Sequence, residues 1–394
     1  MRFYIILALI FFVLLTNKWM GWNEGMQVLG IPDVKSYQAV AESAPSRPVL
    51  IMPYHHAQRL FSPFIVGTLS NAIGSRVESA FYIATYFCIF LTIWIVHKSL
   101  ILLKLSNPSY AICMSMLLLN PFLFRLYLIV PGMLPDIVFV TGLSLTLYGL
   151  LLKRFYLLVA GIIIATLGRQ TALLLIPGVM FWLYYGSAWK DFSFNRKTLY
   201  ATGIALSAGA VYFITGWIVS GVTGKSVNVE HMTGLFRSFS NQDVTVVGVL
   251  GYVSYIVLPL LIPLAAITGI TIASSGQNRP AFKIPTDVWA CLLLAAGIVL
   301  QPVLAGPLST VSQGARLSAF AAIPLIIGVS HLLNTGSTYG VLTAAVLMAG
   351  SLHYKYTIVG PATIAQFAIL QALAAAMVCA FIAEPWSNRH SKVK

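Results

Sequence analysis

Charge is what this chain has least of. Only 9% of its 394 residues are Asp, Glu, Lys or Arg, against about 25% in a soluble globular domain, while 58% are hydrophobic. Carboxylates are scarcest: 10 stand against 24 Lys and Arg, a net charge of +14. The four cysteines, Cys88, Cys113, Cys291 and Cys379, are scattered through apolar runs, which excludes disulfide or metal-ligand spacing and predicts buried thiols. A phosphate loop is also missing. Gly221-Val222-Thr223-Gly224-Lys225-Ser226 lacks the leading glycine, because Val219 stands there, and there is no large soluble stretch to hold an ATP-driven machine. The basic residues lie dispersed between apolar runs and form no basic helix face, which excludes nucleic acid as a partner.

What is there is apolar helix. At about 20 residues per span, this length holds roughly ten to thirteen spans, so the chain reads as an all-α polytopic membrane protein, a single transmembrane domain over residues 1–394. Phe3 to Leu15 lacks a small-residue cleavage site and reads as an uncleaved first span starting inside. A polar segment of about 58 residues, 21–78, follows outside. Further spans fit 79–97, 109–124, 136–152, 155–167, 171–186, 199–219, 245–272, 288–305, 317–333, 339–350 and 362–383. That makes about 12 transmembrane helices, with both termini inside. Loop charge agrees, since Lys98, Lys104, Lys153, Arg154, Lys190, Arg196, Lys197, Arg279, Lys283, Arg389, Lys392 and Lys394 all fall inside. Seven of the carboxylates, among them Asp33 and Asp136, fall outside, so carboxylate chemistry is expected there. Anionic lipid or lipid phosphate accounts for the remaining basic excess.

Phe155 to Leu167 is 13 residues, about 20 Å of helix against a hydrocarbon core of about 30 Å. It is expected to form a short hairpin with the next segment, with Gly168-Arg169-Gln170 at its tip. An arginine at that depth faces a protein cavity or an anion, which makes Arg169 a candidate. The outer loop 21–78 contains two helical periodicities, read as interfacial amphipathic helices: Val34, Tyr37, Val40 and Ala41 after Pro32-Asp33, and Phe64, Ile65, Thr68, Leu69 and Ala72 after Ser62-Pro63. Between them Tyr54-His55-His56-Ala57-Gln58-Arg59 concentrates imidazole, amide and guanidinium groups.

The order of a first span, Asp33-x-x-x-Tyr37, Tyr54-His55-His56-x-x-Arg59 and a Pro-led amphipathic helix resembles the GT-C membrane glycosyltransferases. Pro131-Gly132-Met133-Leu134-Pro135-Asp136 is similar to an outer turn of that family with an acidic residue entering the fourth span, and Arg169 to its outward arginine on a short hairpin. The resemblance covers roughly residues 1–185; in the second half only Ser312-Gln313-Gly314-Ala315-Arg316 matches, with a phosphate-binding role implied for Arg316. The helices of 199–383 would then shape the acceptor and lipid site. The resemblance implies an enzyme acting on the outer face; a basic chain with so little outer-domain mass reads as bacterial, which would place it in the inner membrane with its site toward the periplasm. Its partners would be the bilayer, a polyprenyl-phosphate sugar donor and a glycan or glycolipid acceptor, and Asp33 would be its catalytic base.

Transfer from a lipid phosphate needs a base for the acceptor hydroxyl and cations for the departing phosphate. Arg59, Arg169 and Arg316 are the candidates for phosphate, with Gln170, and His55 and His56 as donors to sugar or phosphate. Asp136 has three open roles: binding sugar hydroxyls, orienting an arginine, or sharing a divalent cation with Asp33. No metal ligand is otherwise assigned. Each candidate has a plainer reading. Asp33 is placed to cap a helix, His55 and His56 to lie at the interface, and Arg169 to pair with Asp136 or snorkel to headgroups. Arg125, Lys225, Arg237 and Lys355 read as loop charges, while the loop 221–243, with Glu230 and His231, has the polarity to shape an acceptor site. Trp19, Trp22, Tyr127 and Tyr212 read as interfacial anchors or packing. Two other functions fit the composition: a polysaccharide polymerase or ligase with a diphosphate-linked donor, and a twelve-span secondary transporter or flippase, for which no internal repeat is visible.

Overall fold

A computed structural model describes residues 1–29, 33–46, 57–223, 285–305, 316–332 and, with short gaps, 351–373. Among these residues the fold is all-helical, and the extended pairing is a single bridge between Asn17 and Thr357. The spans expected at 245–272 and 339–350, and most of 362–383, lie outside the described residues.

The helices are α1 (Arg2–Thr16), α2 (Trp22–Leu29), α3 (Asp33–Ser43), α4 (Phe61–Ala72), α5 (Val77–Leu102), α6 (Asn107–Leu118) and α7 (Leu126–Ile129). After a 3-10 turn at Pro131–Met133 follow α8 (Leu134–Leu152) and α9 (Phe155–Gly168); a second 3-10 turn, Gln170–Leu175, leads to α10 (Ile176–Tyr185). Then come α11 (Phe194–Thr223), α12 (Thr286–Ala305) and α13 (Ala322–Leu332). Among the described residues three stretches are long and apolar enough to cross a membrane: Val77–Leu102, Pro131–Leu152 and Phe194–Val219. Ser109–Leu118 with Pro121–Ile129 makes a fourth, bent by 48°. The straight span expected at 109–124 is therefore broken. Asn120 accepts from the N–H groups of Phe122 and Leu123 through its side chain, and Pro121 has no N–H to continue the ladder, so the chain restarts as a π-helical turn, Pro121–Arg125.

Apolar side chains face outward at the rim of the bundle. In the Pro131–Leu152 span 78% of the most apolar window is buried, against 33% in α5 and 22% in Phe194–Val219. The rim helices display Phe87, Phe90 and Trp94 on α5 and Leu206, Phe213 and Trp217 on α11, an arrangement that water disfavours and lipid accepts.

The two helices anticipated in the first loop both form, but they face opposite ways. Val34, Tyr37, Val40 and Ala41 of α3 are buried against α4, α5 and the Pro131–Met133 turn, so this stripe meets protein rather than lipid. On α4 the buried residues are Ser62, Pro63, Val66, Gly67 and Ser70, while Phe61, Ile65, Leu69 and Ile73 are exposed. The small residues explain the choice: a Cβ at Gly67 would stand 2.0 Å from the Ala41 carbonyl oxygen, so only glycine lets α3 approach this closely. Helix α2 was not anticipated; its Trp22 packs against Phe81 and Tyr82 and donates to Gln38 Oε1 at 3.0 Å.

The centre of the bundle is the antiparallel pair α8 and α9. A Cβ at Gly142 would lie 2.2 Å from the Ala165 nitrogen, one at Gly161 2.5 Å from the Thr146 nitrogen, and one at Gly168 2.5 Å from the Phe139 nitrogen. Helix α5 runs parallel to α8, with Thr85 Oγ1 donating to Pro131 O at 2.8 Å at one end and Thr92 and Thr141 hydroxyls 2.9 Å apart further along. Loops then sort to two ends. At one end Arg2 reaches Leu105 O, Lys153 lies 4.0 Å from Asp191, and Ser187 N–H donates to Asp287 at 2.9 Å. At the other, α3, the start of α8 and the end of α9 meet.

The seam makes a direct prediction. Gly142→Leu forces backbone apart and costs more than the ordinary 1–3 kcal/mol of overpacking, whereas Gly209→Leu, with nothing within 4 Å of its Cβ, is tolerated. Thermal unfolding of both purified variants in detergent checks this; equal melting temperatures would refute the seam.

Candidate functional site

Asp136 occupies the first turn of α8 and Arg169 follows the last residue of α9, so the antiparallel seam sets them face to face. Both are buried, and the Arg169 guanidinium donates to the Asp136 carboxylate in a tight pair. Of the plainer readings of Arg169, pairing with Asp136 is the one the geometry displays. Arg316, at the start of the apolar helix Arg316–Gly328, reaches in from the second half of the chain. Its Nε lies 3.6 Å from Asp136 Oδ2 and its Nη2 3.7 Å from Asp33 Oδ2, so one guanidinium bridges both carboxylates. Arg59 completes the ring: its Nη1 is 3.8 Å from Asp33 Oδ2 and donates to the Tyr37 hydroxyl at 3.1 Å.

Five of the expected residues, Asp33, Arg59, Asp136, Arg169 and Arg316, thus form one buried cluster. Gln170 borders it and donates from its amide to Gln58 Oε1. His55 and His56 lie outside the described residues. Asp33 stands inside the first turn of α3 with its carboxylate turned to two arginines, so it does more than cap the helix.

Burial alone pulls the Arg59 guanidinium down, but the Tyr37 hydroxyl and the carboxylates of Asp136 and Asp33 outweigh it and hold Arg59 above its ordinary range. Burial pushes the Tyr37 phenol up, keeping it a neutral donor and acceptor.

Charge does not balance here. Three guanidinium groups face two carboxylates, leaving one positive charge over among the described residues. The Nε of each of the three arginines has no hydrogen-bond acceptor, and the ion pairs made by Arg59 and Arg316 are longer than hydrogen bonds. Such a cluster can take up an anion with several oxygens, because guanidinium groups pair with it in forked geometry. Arg316 stands between the two carboxylates, within ion-pair distance of both Asp33 and Asp136.

One sequence reading is corrected. Arg125 is not a loop charge: it is fully buried and donates to Val13 O at 3.2 Å and Thr16 Oγ1 at 2.9 Å, holding the carboxyl end of α1. Of the two readings of Tyr127, anchor or packing, the structure displays packing: it is fully buried and within electrostatic reach of Asp136, Arg316 and Arg169. Gln58 and Tyr37 also belong to the site; only the four-residue spacing from Asp33 to Tyr37 signalled the second of these.

Compared with known proteins, the chain matches no family model, no curated protein and no solved structure.

Because Asp136 is the carboxylate paired with Arg169 among the described residues, Asp136→Asn leaves a buried cation without its counter-charge and is expected to cost about 3–5 kcal/mol. Adding Arg169→Met should restore more than half of that. A double-mutant cycle read by thermal or denaturant unfolding tests it; additive losses would show that the two are not a pair.

Proposed function

We propose that this chain is a membrane glycosyltransferase of the GT-C type, which transfers a sugar from a polyprenyl-phosphate donor to a glycan or lipid-linked acceptor. The observation that carries the reading is the buried Asp33, Arg59, Asp136, Arg169, Arg316 cluster, with one positive charge uncompensated among the described residues, set at one end of an apolar helical bundle. A cationic pocket in low dielectric is what a lipid-borne phosphate needs. Its position supports an interfacial enzyme over a transporter: Asp136 stands near one end of Pro131–Leu152, a stretch long enough to span, whereas transporter sites lie near the bilayer midplane. On this reading the chain has about 12 spans, sits in a bacterial inner membrane and opens its site to the periplasm.

The reaction follows from the residues. Asp33 takes the proton of the acceptor hydroxyl, whose oxygen attacks the anomeric carbon from the face opposite the phosphate. The bond from that carbon to the phosphate oxygen breaks and its electron pair leaves with the phosphate, so the anomeric centre inverts. Arg59 and Arg316 receive the added negative charge, and Arg169, held by Asp136, keeps the second carboxylate in place. Both arginines are already ordered, so little rearrangement is needed as charge develops.

The test is transfer or hydrolysis of radiolabelled sugar by purified protein, using a panel of polyprenyl-monophosphate and polyprenyl-diphosphate sugars. Wild type is expected to turn over a monophosphate donor, with Asp33→Asn reduced about 10²–10⁴-fold and Arg316→Gln raised in KM for the donor. Equal rates for wild type and Asp33→Asn would remove Asp33 from the mechanism. Turnover of diphosphate donors alone would establish the polymerase or ligase instead.

A further inference from the structure

Beside the charged cluster lies a set of buried polar atoms that carry no charge and make no hydrogen bond. Asn17 follows α1, and its side chain is completely buried, yet neither its amide nitrogen nor its carbonyl oxygen has a partner. The phenol oxygen of Tyr127, equally buried, is in the same state. The two side chains belong to adjoining segments. Arg125, two residues before Tyr127, donates to Thr16 Oγ1, one residue before Asn17. Both segments also lean on the same turn: Asn17 bridges to Thr357, Lys18 N–H donates to Tyr356 O at 2.8 Å, and Tyr127 is within electrostatic reach of Tyr356. Tyr127 is also within electrostatic reach of Asp136, Arg316 and Arg169, which places it near the charged cluster.

Buried polar groups are almost always paired, so three atoms unpaired among the described residues, on two segments that adjoin the same turn, call for a partner. Their chemistry selects it. A carboxamide offers N–H donors and a carbonyl acceptor, and a phenol offers one of each, which matches neighbouring hydroxyl groups that also donate and accept. Nothing in the set favours an anion. Arg125 does not change this, because its two Nη groups are engaged by Val13 O and Thr16 Oγ1.

We propose that Asn17 and Tyr127 form an uncharged subsite that reads the ring hydroxyls of a sugar bound beside the arginine cluster. The inference rests on the phosphate-sugar reading above and divides the site in two. Arginines hold the phosphate, whatever it carries; Asn17 and Tyr127 distinguish one sugar from another. The ring belongs to either the donor or the acceptor, and the experiment separates these.

Binding of farnesyl phosphate, and of farnesyl phosphate carrying glucose, mannose or arabinose, is measured for wild type, Asn17→Ala and Tyr127→Phe. Hydrolysis and transfer to a panel of methyl glycosides are followed alongside. Both variants should bind bare farnesyl phosphate like wild type. If the ring is the donor's, each loses about tenfold in affinity for the preferred sugar-bearing lipid; if it is the acceptor's, donor binding and hydrolysis stay and KM for the glycoside rises about tenfold. Tyr127→Phe removes an unpaired buried hydroxyl, so its melting temperature should hold or rise, which a structural hydrogen bond would not allow. Equal losses for bare and sugar-bearing lipid, a fall in melting temperature without a change in sugar preference, or no change at all would overturn the subsite. Wild type binding neither lipid would overturn the phosphate reading itself, a failure visible before any variant is made.

Discussion

The close seam between α8 and α9 is the constraint on which the site depends. Glycines at 142, 161 and 168 let two backbones touch where side chains would hold them apart, and in an apolar surrounding such contact is itself the attraction, since lipid tails leave little hydrophobic drive between helices. Antiparallel packing at that distance puts the first turn of one helix beside the last residue of the other. Asp136 and Arg169 are therefore paired by geometry, and the pair gives Arg316 its first anchor. Arg316 in turn gives Asp33 a partner from the far half of the chain.

The same cluster shows how an apolar bundle tolerates five ionised groups. A lone buried charge would cost several kcal/mol, and each member here is offset by at least one opposite charge, with Arg316 shared between two. Among the described residues the compensation stops one charge short. Asp33 faces Arg59 at 3.8 Å and Arg316 at 3.7 Å, so arginines from both halves of the chain meet at its carboxylate.

The first loop is where the fold and the bilayer meet. Helix α3 presses its apolar stripe into the bundle and delivers Asp33 and Tyr37, while α4 turns Phe61, Ile65, Leu69 and Ile73 outward. Two short helices with similar composition do opposite work because Gly67 and its small neighbours let α4 bury its narrow side against α3. The inner layer of this pair brings Asp33 and Tyr37 to the charged cluster; the outer layer presents an apolar face, as a surface against lipid would.

Much of this was legible in the residues themselves. Long apolar runs with few charges can only be satisfied as helices in lipid, and the scarcity of charge made Asp33, Arg59, Asp136, Arg169 and Arg316 conspicuous before any contact was known, because each costs energy that a helix in lipid does not otherwise spend. Periodicity placed α3 and α4, and length alone showed that 155–167 could not cross unaided. Other features lay beyond sequence reasoning. Nothing local distinguishes Arg125, which caps α1 across more than a hundred residues, from a headgroup-facing arginine, nor Tyr127, buried beside the cluster, from an interfacial tyrosine. The bend after Leu118 depends on how Asn120 and Pro121 fit their neighbours, and the direction of α4 on which of its faces is narrow enough to pack. Composition and period report the solvent each residue needs; which residue supplies the partner is decided only when distant segments are brought within a few ångströms.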